Sequence, residues 1–168
     1  MAKRSFLEKL GDVVFILTCV GLLSAAVYRA VPARAVRGAS VDASRIGSPA
    51  VLPPVDFSAS PRTVLAVVST SCRFCDASMP FYRQLASEDV GSEGWSLVFV
   101  GIEAPADVTS YLEANGVPAV SVVQLTPSLA IRGTPTLLVV DASGHILGAW
   151  SGVLDEQQQN EVRTLIAG

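Results

Sequence analysis

The sequence predicts an α/β domain preceded by an N-terminal transmembrane helix, and three observations carry that prediction. Val64-Leu65-Ala66-Val67-Val68 is a continuous apolar run rich in β-branched residues, and a helix-length stretch opening on two cysteines follows it at once. Strand-length and helix-length patterns then alternate toward the C-terminus. Near the N-terminus, Val13 to Tyr28 is a stretch of sixteen residues without a charge, with Lys3, Arg4 and Lys9 ahead of it.

Sixteen residues fall short of the roughly 20 of a spanning helix, but flanks such as Arg29 extend the span by snorkelling, so the membrane segment is set at residues 13–31. The basic residues ahead of it place residues 1–31 as a cytoplasmic tail and signal anchor, with everything after them across the membrane. A cleaved signal peptide is the competing reading, because Ser24-Ala25-Ala26 and Ala33-Arg34-Ala35 both resemble small-x-small cleavage sites. A buried core helix is a third option, at odds with a position at the extreme terminus ahead of a linker.

Residues 32–60 hold Pro32, Pro53 and Pro54 among many Ala, Ser and Gly, with no sustained period of 2 or 3.6, and read as a linker. Its end, Val51 to Phe57, is expected to lie on the domain edge as an extended segment. The domain itself is set at residues 61–168.

The run Val64 to Val68 reads as a strand covered on both faces. Ser69, Thr70 and Ser71 supply hydroxyls suited to helix capping, which puts Cys72 at the first turn of a helix, where free backbone N–H groups and the dipole favour an anion. A thiolate is such an anion. In Cys72-Arg73-Phe74-Cys75 the two sulfurs sit three residues apart on one turn, close enough to form and reopen a disulfide. Cys72, at the helix end, is expected to be the low-pKa nucleophile, and Cys75, one turn deeper, the thiol that resolves the mixed disulfide. Arg73 and Phe74 between them are expected to be exposed and to tune the redox potential, with Arg73 favouring the thiolate and Asp76 opposing it. Pro80 inside the helix removes one hydrogen bond and predicts a bend.

Gly91 and Gly94 mark a turn, and Trp95 to Ile102 reads as the next strand. Pro105 opens a helix over Asp107–Asn115 closed by Gly116, and Val120 to Val123 suggests a short strand. Thr136–Val140 and Ile146–Trp150, joined by Asp141-Ala142-Ser143-Gly144, read as an antiparallel hairpin. Asp155 caps a last amphipathic helix bearing Val162, Leu165 and Ile166. Trp95 and Trp150 are assigned to packing.

The strand, the C-x-x-C pair and a proline five residues after the second cysteine resemble thioredoxin-like proteins. A second match lies downstream: Arg132-Gly133-Thr134-Pro135-Thr136 through Ile146 is similar to the cis-proline loop, strand and hairpin of the membrane-anchored TlpA/ResA-type oxidoreductases. The resemblance spans roughly residues 50–168. It implies a central mixed β-sheet flanked by helices, with Pro135 as the cis-proline facing the disulfide and Thr134 presenting backbone groups to a bound substrate. It implies a thiol-disulfide oxidoreductase without a cofactor, working on protein thiols or disulfides on the extracytoplasmic side of a cell inner membrane. Reductive work is the direction implied, with cytochrome or metal-site assembly proteins as partners; oxidative folding is the alternative within the class. Two positions depart from ordinary thioredoxins. Ser71 stands where they carry tryptophan, and Ala66 where they carry a buried acid that assists proton transfer, so that transfer falls to water or another group.

Composition and charge exclude several classes. Residues 1–37 carry six basic and two acidic groups, net +4, and the remainder six basic and thirteen acidic, net −7, which together make the chain's −3. An acidic domain argues against nucleic acid as a partner. A purely structural Cys72–Cys75 bridge would close a very small loop and gain little chain entropy. Zinc wants four ligands, and beyond the pair the soft candidates are Cys19, in the apolar run, and the single histidine, His145. His145 is most simply a solvated turn residue. The functional alternative is a copper chaperone of the same fold holding the metal with Cys72, Cys75 and His145, since thiolates and imidazole suit copper.

Overall fold

The computed structural model describes residues 39–88, 94–118 and 121–168. The tail and membrane segment assigned to residues 1–31, Cys19, Gly91 and Val120 lie outside them. Among the described residues no helix is long and apolar enough to cross a membrane.

Six strands form one mixed sheet: β1 (Ser40–Val41), β2 (Arg62–Val68), β3 (Trp95–Gly101), β4 (Ser121–Gln124), β5 (Thr136–Asp141) and β6 (Ile146–Ser151), in the spatial order β1-β6-β5-β2-β3-β4. β2, β3 and β4 run parallel, whereas β5 is antiparallel to both β2 and β6. Three helices complete the fold: α1 (Arg73–Ser87), α2 (Pro105–Ala114) and α3 (Glu156–Ala167). Each parallel step passes through a helix, the connection that parallel neighbours require.

The central strand shows why a continuous apolar run was needed. Val64, Ala66 and Val68 enter one hydrophobic cluster and Leu65 and Val67 the other, because successive side chains of a strand point to opposite faces. The first cluster takes the buried faces of all three helices: Met79, Tyr82 and Leu85 from α1, Val108 and Leu112 from α2, Val162 and Ile166 from α3. Within it the Tyr82 ring meets the edge of Phe99 at 5.5 Å and 86°. Trp95 and Trp150 are buried there too.

The opposite face is closed differently from the expected flanking helices. Ala50 and Leu52, with Val55 and Phe57 packed beside them, cover Leu65, Val67, Leu138 and Val140, and Leu129 of a short 3-10 turn (Pro127–Leu129) completes the cover. The linker assigned to residues 32–60 is therefore, from Ala39 onward, part of the domain. β1 pairs with β6, the Ala50 N–H donates to the Gly144 carbonyl at 2.8 Å, and the Gly47 N–H donates to that of Ile146 at 2.8 Å. Arg45 ties the strap to the far loop by donating to the carbonyls of Leu129 and Ala130, at 2.7 and 3.2 Å. Main-chain pairing to an open sheet edge needs no side-chain period, so this segment carries no pattern of 2 or 3.6 in its sequence.

Candidate active site

β2 delivers the chain to the top of the sheet, and the turn Ser69-Thr70-Ser71 hands it to α1. Cys72 is the N-cap of that helix, in an extended conformation, and no side chain caps it. The three hydroxyl residues expected to cap the helix do something else. The Ser69 hydroxyl donates to Glu103 Oε1 at 2.6 Å and lies 3.2 Å from the Ser71 hydroxyl, and the Thr70 N–H donates to Glu103 Oε2 at 3.2 Å. The turn itself closes through the Cys72 N–H, which donates to the Ser69 carbonyl at 3.2 Å.

The two sulfurs have opposite surroundings. Cys72 is partly exposed and Cys75 wholly buried, and neither is in a disulfide. Partial burial opposes ionisation of Cys72, but the Thr134 side chain, the Cys75 thiol and the backbone N–H groups of Cys75 and Phe74 together outweigh it and bring its pKa below the usual 9.0. Both N–H groups belong to the first turn of α1, and that of Cys75 also donates to the Cys72 carbonyl at 2.8 Å. Burial pushes Cys75 the other way, to about 12, with the neighbouring Cys72 adding to the rise and the Ser69 backbone opposing it.

Opposite Cys72 stands the loop leading into β5. The Thr134–Pro135 peptide bond is cis, Pro135 is buried, and the Cys72 thiol donates to the Thr134 carbonyl oxygen at 3.2 Å. Residues 62 positions apart in the chain are thus brought together. The Thr136 hydroxyl anchors the loop by donating to the Gly133 carbonyl at 2.8 Å.

Arg73 and Phe74 are exposed, with the guanidinium 4.8 Å from the centre of the Phe74 ring. Phe74 acts on Cys72 through its backbone N–H, and its ring stays half-exposed on the rim. The Asp76 carboxylate is taken up by the Tyr111 hydroxyl at 2.6 Å. His145 is not brought to the pair. It sits in the β5–β6 turn, 3.9 Å from Asp141, at the end of β5 remote from Thr134, roughly 20 Å of strand away. The trio Cys72, Cys75 and His145 is therefore not a ligand set, and among the described residues no group of three metal-ligating side chains converges.

Sequence reasoning missed Glu103. It follows β3 in a loop, and its partners lie 33 and 34 residues earlier, so no local signal marks it.

Comparison with solved structures identifies the architecture. A putative thiol:disulfide interchange protein DsbE from Chlorobium tepidum superposes with a TM-score of 0.53 at 22% identity, over 65% of this chain and 79% of its own. The thioredoxin domain of a thiol-disulfide oxidoreductase from Bacteroides vulgatus gives 0.57 at 18% identity, over 72% and 97%. The chain has a thioredoxin-like fold. A thiol-disulfide isomerase from Corynebacterium glutamicum covers more of the chain, 80%, and 98% of its own length, at a TM-score of 0.54 and 14% identity. No protein-family model and no curated protein sequence matches the chain. In this thioredoxin-like fold, the helix opening on Cys72 and the loop at Pro135 meet at one end of the sheet, where β2 ends and its antiparallel neighbour β5 begins.

Proposed function

We propose that the chain is a thiol-disulfide oxidoreductase that exchanges disulfides with protein substrates through Cys72 and Cys75. The observation that carries this reading is the asymmetry of the pair: an accessible sulfur with a lowered pKa at a helix N-terminus, and a buried sulfur held protonated one turn below it. The structural neighbours, described as a thiol:disulfide interchange protein, a thiol-disulfide oxidoreductase and a thiol-disulfide isomerase, support the same chemistry.

The reaction balances with these two residues alone. The Cys72 thiolate attacks one sulfur of a substrate disulfide; a Cys72–substrate disulfide forms, the substrate S–S bond breaks, and the second substrate sulfur leaves as a thiolate that takes up a proton. Cys75 then gives up its proton and attacks Cys72, the mixed disulfide breaks, and the first substrate sulfur leaves. Two electrons and two protons pass from the Cys72/Cys75 dithiol to the substrate, and the reverse sequence oxidises a substrate dithiol. The thiolate formed at Cys72 is stabilised by N–H groups already in place, so little reorganisation accompanies the step. Thr134 and Pro135 line the approach to Cys72, and Thr134 would offer its backbone to the incoming chain. Arg73 and Phe74 would set the potential from the rim.

The finer reading places this domain on the periplasmic side of a cell inner membrane, anchored by residues 13–31 and working reductively on cytochrome or metal-site assembly proteins. The uncharged run Val13–Tyr28 with its preceding basic residues supports the anchor, and the likeness of the Thr134–Pro135 loop to TlpA/ResA-type proteins supports the direction. The test is trapping. Cys75→Ser is expected to accumulate mixed disulfides with cell-envelope proteins through Cys72, reversed by reductant; Cys72→Ser is expected to accumulate none. Absence of any Cys72-linked adduct, together with no redox equilibrium with glutathione in the wild type, overturns the reading.

A further inference from the structure

Glu103 grips the cysteine turn at two points at once. One carboxylate oxygen accepts from the Ser69 side chain at 2.6 Å and the other from the Thr70 main chain at 3.2 Å. Holding a side chain and the next residue's backbone together fixes the turn's path, which a single hydrogen bond would leave free to rotate. The residue it holds is the one that faces both cysteines: the Ser69 carbonyl accepts from the Cys72 N–H at 3.2 Å, and the Ser69 backbone also faces the Cys75 sulfur. Hydrogen bonds from Ser69 and Thr70 outweigh partial burial and keep the Glu103 carboxyl below its ordinary 4.5, so it is ionised at neutral pH. Glu103 is itself placed by main-chain pairing, because the Ile102 N–H just before it donates to the Val68 carbonyl at 3.1 Å. The grip therefore joins the end of β3 to the start of the redox turn.

We propose that Glu103 is a positioning residue for Cys72: its carboxylate holds the Ser69–Thr70 turn so that the Cys72 sulfur stays aligned with the N–H groups of Phe74 and Cys75. This rests on the oxidoreductase reading, and it leaves the proton transfer that Ala66 cannot assist to water or another group. Two effects of Glu103 on Cys72 have opposite signs, and this makes the role separable. A carboxylate acting only through space disfavours a nearby thiolate, so its removal would lower the Cys72 pKa. A carboxylate acting through the turn supports the thiolate by alignment, so its removal raises that pKa.

The experiment is the pH dependence of iodoacetamide alkylation of Cys72 in the reduced full chain, for the wild type, Glu103→Ala, Ser69→Ala and the double variant. Glu103→Ala is expected to move the midpoint upward and to slow alkylation at pH 7 about tenfold, the loss that one pKa unit produces. Ser69→Ala removes one of the two grips and is expected to shift the midpoint in the same direction by less, and the double variant is expected to match Glu103→Ala because the two act as a unit. A midpoint that stays or falls in Glu103→Ala overturns the proposal, as does additivity in the double variant. Should Glu103→Ala not fold, the direction of the Ser69→Ala shift decides. Alkylation needs no protein substrate, so a wild type that traps no partner leaves this result readable. Conversely, an active wild type with an unmoved Glu103→Ala profile fails the positioning role alone.

Discussion

The Cys72 sulfur and the Thr134 carbonyl oxygen lie 3.2 Å apart, and this contact sets how the site behaves in its two protonation states. As a thiol, Cys72 donates to that oxygen; as a thiolate it has nothing to donate and turns to the N–H groups of α1. The carbonyl thus holds the resting thiol, and the helix end holds the reactive anion.

The first prediction follows from the split between the sulfurs. Of the two cysteines of the site in the reduced protein, only Cys72 is expected to react with iodoacetamide at pH 7, with a midpoint below 9.0, while Cys75 stays unmodified until the protein unfolds. Mass mapping of the labelled peptide checks this. Equal labelling of both cysteines in the native state would contradict the asymmetry on which the mechanism depends.

Alkaline stability of the reduced protein gives a second. The folded pKa of Cys75 is raised to about 12 from its ordinary 9.0. The stabilisation from keeping it neutral is therefore complete below about pH 9 and is lost as pH rises from there toward 12, because only the unfolded chain ionises in that window. The loss is on the order of 2–4 kcal/mol across the window. Urea unfolding of the reduced wild type between pH 8 and 11 is expected to show this decline. Cys75→Ala, destabilised at all pH by its cavity, is expected to decline less steeply, since the Cys75 contribution is gone.

The third concerns residues 39–60. Leu52 and Ala50 are buried against Leu65, Val67 and Leu138, and full burial of a leucine is worth about 1.5–3 kcal/mol. A chain starting at residue 61 is expected to lose at least about 3 kcal/mol relative to one starting at residue 39, and to bind a hydrophobic dye through the uncovered face. Matching denaturant midpoints for the two would return this segment to the role of a linker.

What could be read from the sequence was local. The C-x-x-C pair, the helix with Pro80, the hairpin after Thr134-Pro135 and the Asp155 cap each announce themselves within a few residues, and the Asp155–Gln158 capping box is present in full. Helix α2 begins at Pro105 and ends one residue short of expectation, with Gly116 at φ +71 just beyond it. What stayed hidden depends on partners distant in the chain. The strap is held by main-chain bonds to β6 and by Arg45 on a loop more than 80 residues away, and Glu103 by a turn more than 30 residues earlier. Neither leaves a periodic trace. Ser69 to Ser71 misled for a related reason: hydroxyls ahead of a helix usually cap it, but here a carboxylate from the loop after β3 competes for Ser69.

Tyr82 supplies the fourth prediction. Its side chain is fully buried, its pKa raised by burial and by Cys75 against a smaller lowering by the nearby Ser78 hydroxyl, which itself donates to the Phe74 carbonyl, and its own hydroxyl makes no well-formed hydrogen bond among the described residues. An unsatisfied buried hydroxyl costs about 1–3 kcal/mol, while the ring's packing on Phe99 needs no oxygen. Tyr82→Phe is therefore expected to be neutral or to stabilise by up to about 1 kcal/mol, with unchanged Cys72 reactivity. A loss of more than about 1 kcal/mol on thermal or urea unfolding would show that the hydroxyl has a partner that matters.

The last prediction concerns the joint that presents Glu103. Gly101 ends β3, and a Cβ there would stand 2.4 Å from Val108 Cγ2 and 3.1 Å from the Glu103 carbonyl oxygen. Val108 is fully buried and the second atom is backbone, so neither yields by a simple rotation into solvent. Gly101→Ala must push α2 off the sheet or shift the chain at Glu103, at a cost of about 1–3 kcal/mol for overpacking. The two responses are distinguishable. Retreat of α2 lowers stability and leaves Cys72 as it was, whereas a shift at Glu103 loosens the grip on Ser69 and Thr70 and slows alkylation as well. Because the glycine's new methyl would press on Val108 more closely than on Glu103, the larger expected effect is on the unfolding midpoint, with a smaller slowing of Cys72 alkylation at pH 7. Val108→Ala, which clears the nearer contact, is expected to restore part of the lost stability in the Gly101→Ala background; a double variant no more stable than the sum of the two single losses would show that the strain is released elsewhere.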